Sequence, residues 1–76
     1  MTTAEFKELV SAVFDATTSF RGCRVDEQEK ELCRVQAWVA KLREAEWPKR
    51  LSDRDRQRGL LAMKKASECV ANFVME

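Results

Sequence analysis

The chain has 76 residues, 45% of them hydrophobic and 36% charged, with 14 basic against 13 acidic side chains and no histidine. So short a chain makes one domain and buries only about 60% of the surface its unfolded form exposes, which makes oligomerisation a natural remedy. The missing histidine removes the commonest general base and the usual Ser or Cys triads, and the sequence pI of about 7.7 falls short of the value above about 9 that marks a strongly basic nucleic-acid-binding domain.

Charge is unevenly spread. Residues 1–46 hold seven basic and nine acidic side chains, a net of −2, and residues 47–76 hold seven and four, a net of +3. Three cysteines, Cys23, Cys33 and Cys69, cannot all pair within one chain, and without histidine or a C-x-x-C they build none of the usual zinc sites. No metal and no cofactor are expected. Odd, scattered cysteines fit a reducing compartment, and neither a secretory signal nor a membrane-length apolar run is read, so a cytoplasmic protein off the membrane is expected.

In chain order, Thr2 or Thr3 caps a first helix with Glu5 in its first turn. Phe6, Leu9, Val10, Val13, Phe14, Thr17 and Phe20 recur at helical spacing as one apolar stripe. This stripe is read as core, with a dimer or partner seam as its rival. Thr17-Thr18-Ser19 weakens the helix end, and Gly22 suits a left-handed C′ position. Arg21–Val25 reads as a turn, with Cys23 an accessible thiol whose pKa the neighbouring Arg21 and Arg24 would lower. Cys33 and Cys69 read as buried.

Asp26 with Glu29 offers a capping box for a second helix of about twenty residues, whose core face carries Leu32, Val35, Trp38, Val39, Leu42 and Ala45. Pro48 disfavours the α conformation at Trp47 and ends this helix near Ala45–Glu46. Trp47 either covers the end of the helix pair or stands exposed beside Lys49 and Arg50 as an interface anchor.

Ser52 and Asp55 start the last helix. Gly59 costs it about 1 kcal/mol relative to Ala. Gly59, Met63, Ala66, Cys69, Val70, Phe73 and Val74 form its core face, and the small residues Gly59, Ala62 and Ala66 would admit a close neighbour. Arg54, Arg58, Leu61 and Lys65 fall on the opposite face at i, i+4, i+7 and i+11, flanked by Lys64 and Asn72. No strand pattern, hairpin turn, repeat or Gly-rich phosphate loop is read. The fold class is therefore all-α: a small three-helix domain, helices 2 and 3 an antiparallel hairpin, expected to dimerise. The Pro-containing Trp47–Leu51 connection does not suit a helix-turn-helix.

The segment Q-R-G-L-L-A-M-K-K-A (Gln57–Ala66) resembles the hairpin helix of phage proteins that sequester cyclic nucleotide signals of bacterial immunity, which are small oligomeric helical proteins. The resemblance spans ten residues, and Lys49–Arg56 depart from that family's pattern, so its ligand-binding positions do not carry over.

The functional expectation is a non-enzymatic protein-interaction module, a regulator, adaptor or phage-type inhibitor. It would bind a protein partner through Trp47, Lys49, Arg50, Arg54, Arg58, Leu61, Lys64 and Lys65. The alternative is a nucleic-acid or anionic-nucleotide binder using the Lys49–Lys65 basic cluster, although Asp53 and Asp55 offset part of that charge.

Overall fold

The computed structural model describes residues 1–75, and their side chains through residue 73. Three helices form an all-α domain, α1 (Thr3–Gly22), α2 (Gln28–Glu44) and α3 (Asp53–Met75), with one 3₁₀ turn at Val25–Glu27 leading into α2. The molecule measures 41 × 19 × 18 Å, an elongated shape with the helices running along its length.

Two helix starts are fixed by the hydroxyls expected there. The Glu5 N–H donates to Thr2 Oγ1 at 3.2 Å, and the Asp55 N–H to Ser52 Oγ at 3.2 Å. Each removes one of the four unpaired donors of a helix N-terminus. The expected Asp26 cap of α2 does not form. Glu27 precedes that helix without a side-chain cap, and the Glu27 N–H donates to the Arg24 carbonyl at 2.9 Å. The 3₁₀ turn thus supplies by backbone what a capping box supplies by side chain. It also shortens α2 to 17 residues.

Gly22 is a second correction. It stays inside α1 without a positive φ, and Cys23 ends the helix in an extended conformation. The Thr-rich segment stays helical to Gly22, and buried Thr17 donates its hydroxyl to the Val13 carbonyl at 2.8 Å.

The apolar stripe of α1 lies between the other two helices. Phe6, Val10, Val13 and Ala16 pack with Val35, Val39 and Leu42 of α2, with Leu51, and with Ala62 and Ala66 of α3. Leu9, Phe14 and Phe20 are half-buried against this core, which is the core reading of the stripe. Cys69 is buried as expected, whereas Cys33 is exposed on the outer surface of α2. Val74 lies outside the residues whose side chains are described.

Aromatic pairs close both ends of the core. At one end Trp47 meets Phe6 edge-on, centroids 4.9 Å apart. At the other, Phe20 and Phe73 do the same at 5.9 Å. The Trp47 indole N–H donates to the Leu42 carbonyl at 2.9 Å. That carbonyl lies in the last turn of α2, where no intrahelical partner remains, so Trp47 caps the helix it follows.

Candidate functional site

The basic stripe of α3 does not face away from the core. Ala62 is fully buried at the centre of the α3 core line, while Met63 is only half-buried. The buried face is therefore rotated toward the stripe, and the stripe emerges beside α1. Arg54 and Arg58 form one wall of a cleft of about 370 Å³ between α1 and α3, with Lys7 and Ser11 on the other side. Phe6 and Val10 form its apolar floor, and Asp55 also lines it. Three cations against one carboxylate leave the cleft at +2.

Arg58 is held over the ring of Phe14, its guanidinium carbon 5.9 Å from the ring centroid, at the outer edge of cation–π range. Its charge is thereby held above the α1–α3 seam. Leu61, three residues on, is 44% exposed. Arg54, Arg58 and Lys65 are all exposed. The stripe is thus a continuous surface of cations around one aliphatic side chain.

The other expected site residues are more dispersed. Lys49 and Arg50 are exposed in the turn before α3, and Lys64 is exposed on its outer surface. Trp47 is half-buried, with ring and N–H both engaged inside the chain, so it covers the helix ends instead of presenting a free aromatic. Lys7 and Ser11 escaped the sequence reading. They occupy the i and i+4 positions on the flank of α1, and only the packing of α1 on α3 brings them to the arginines.

Leu60, 52% exposed, was also missed. Consecutive helical residues point about 100° apart. Leu61 therefore opens toward the α1 side of α3, and Leu60 toward the α2 side.

Cys23 departs from expectation. Its thiol pKa is raised above the ordinary value, first by desolvation and then by the carboxylate of Glu31. Its Sγ–H donates to the Phe20 carbonyl at 3.0 Å, and hydrogen bonding from the Cys23 backbone offsets part of the rise. Glu27 and Asp26 add negative charge at the same corner. The 3₁₀ turn and the start of α2 bring acids to the thiol, while Arg21 and Arg24 stay exposed in solvent.

Among the described residues no helix is long and apolar enough to cross a membrane, and no group of three or more Cys, Asp or Glu is placed to hold a metal ion. Comparison with protein-family models, curated proteins and solved structures finds no match to this chain. The ten-residue likeness at Gln57–Ala66 accordingly carries no family assignment.

Proposed function

We propose that the chain is a non-enzymatic cytoplasmic interaction module, a regulator, adaptor or inhibitor, that binds an acidic protein surface along the α1–α3 seam. The carrying observation is Leu61, 44% exposed and set among Arg54, Arg58 and Lys65. An aliphatic anchor inside a charged rim is the usual anatomy of a small interface: the apolar centre supplies affinity and the charges supply orientation and on-rate. Lys7 and Ser11 extend the rim onto α1, where an acidic side chain of the partner would enter the cleft. Trp47 supports this surface from behind by fixing Phe6, the floor of the cleft. In this reading α2 and α3 run antiparallel and the working unit is a homodimer.

The convergence of Lys7, Arg54 and Arg58 on one cleft favours a second reading, in which the occupant is the phosphate of a nucleic acid or nucleotide. The two separate cleanly. For a protein partner, Leu61→Asp and Arg58→Glu each weaken binding about tenfold, the level of a modest interface hot spot, with helicity unchanged. Binding also survives nuclease. For phosphate, Leu61→Asp matters far less than Arg58→Glu, and affinity falls steeply with salt as counterions are released. If neither substitution changes partner binding, this surface is not the site.

A further inference from the structure

The groove between α2 and α3, on the side away from α1, has a volume of about 390 Å³ and is lined mainly by small and apolar residues. Val39 and Val70 lie in it, and Leu60 and Met63 continue the same flank of α3 at i, i+3 and i+10. Leu60 has no cover there. The α2 wall has its own pattern. Glu29, Cys33, Gln36, Ala40 and Arg43 are spaced i, i+4, i+7, i+11 and i+14, share one flank, and are all exposed.

That flank is complementary to itself. Turned end for end about Gln36, Glu29 falls opposite Arg43 and Gln36 opposite Gln36, while Cys33 and Ala40 come within one residue of the same height. The acid lies in the first turn of α2 and the base in its last, each where the helix dipole also favours it. Cys33 and Ala40 between them are small, which lets two helix axes approach to the usual 8–10 Å on either side of Gln36. Self-complementarity of this kind is what a twofold interface requires, since each contact occurs twice.

We propose that a second copy of this chain closes the groove, its α2 lying antiparallel on α2 with the twofold axis at Gln36, two reciprocal Glu29–Arg43 pairs at the ends, and Leu60 covered at the side. This deepens the homodimer reading above and does not depend on the partner face, which lies on the α1 side of α3.

The test is charge reversal followed by sedimentation equilibrium on the full chain, with circular dichroism to confirm folding. Glu29→Arg and Arg43→Glu each place like charges together twice per dimer and should raise the dimer Kd about tenfold or more. The double variant Glu29→Arg/Arg43→Glu restores opposite charges and should return the Kd to within about threefold of wild type. It is also the worst variant for the α2 dipole, so recovery of the dimer separates the interface from helix stability. A dimer indifferent to either single reversal, or not rescued by the double, would overturn this interface and leave dimerisation standing. A wild-type chain that stays monomeric into the high micromolar range would overturn both.

Discussion

Gly59→Ala separates packing from propensity by sign. On propensity alone, removing a glycine from a helix interior gains about 1 kcal/mol. The packing opposes this. A Cβ built on Gly59 would lie 2.7 Å from Phe6 Cζ and 3.1 Å from Trp47 Cη2. Phe6 is 1% exposed, and Trp47 is tied to the Leu42 carbonyl, so neither ring moves without disturbing the end of the core. Overpacking of this kind costs about 1–3 kcal/mol. Against the propensity gain, the net expectation is a loss of about 1 kcal/mol, or a Tm lowered by about 4–8 °C for a domain of this size. Thermal and urea denaturation followed by circular dichroism measure it. Phe6→Leu supplies the control: it removes the 2.7 Å contact and leaves the 3.1 Å contact to Trp47, so Gly59→Ala should cost clearly less in that background than in wild type. A wild-type background in which Gly59→Ala raises Tm would refute the claim that Phe6 and Trp47 require glycine there.

Other consequences are narrower. Trp47→Phe keeps most of the ring but frees the Leu42 carbonyl, for an expected loss of about 1 kcal/mol, while Trp47→Ala should lose about 3 kcal/mol, both read by urea denaturation. Ser52→Ala should cost about 1 kcal/mol through the lost α3 cap, whereas Asp26→Ala should stay within about 0.5 kcal/mol because it caps nothing. Cys23 should alkylate with iodoacetamide more slowly than exposed Cys33 at mildly alkaline pH, and Glu31→Gln should speed it by removing the charge that raises the thiol pKa. The linkage sign follows from that raised pKa. The folded state holds the Cys23 proton longer than the unfolded state, so this contribution to stability is complete below the unfolded thiol pKa and is lost as pH rises through the folded one.

Helix number, the starts of α1 and α3, and most of the core were legible because each depends on local pattern. The Phe6–Phe20 stripe, the Leu32–Leu42 face, and the Thr2 and Ser52 hydroxyls act within one turn or one period of their own helix. What escaped depends on how helices meet. Gly59 reads from sequence as a weak point, yet its lack of a side chain is what admits Phe6 and Trp47. The Arg54–Lys65 stripe reads as the back of α3 because Met63 outranks Ala62 in hydrophobicity. In the fold the small Ala62 takes the seam and rotates the arginines toward Lys7. Cys23 reads as flanked by arginines in sequence, but the 3₁₀ turn brings Glu31 to it. The missed cap at Asp26 has the same origin, since the backbone donors of that turn were already engaged.

The most direct test of the interaction reading is affinity capture from native host lysate with the wild-type chain, Leu61→Asp and Arg58→Glu side by side, each with and without nuclease. A discrete protein retained by wild type after nuclease, and lost with both variants while their circular dichroism is unchanged, is the expected result. Retention of that protein by both variants, or loss of all bound material on nuclease treatment, would contradict a protein partner held by the Leu61 surface.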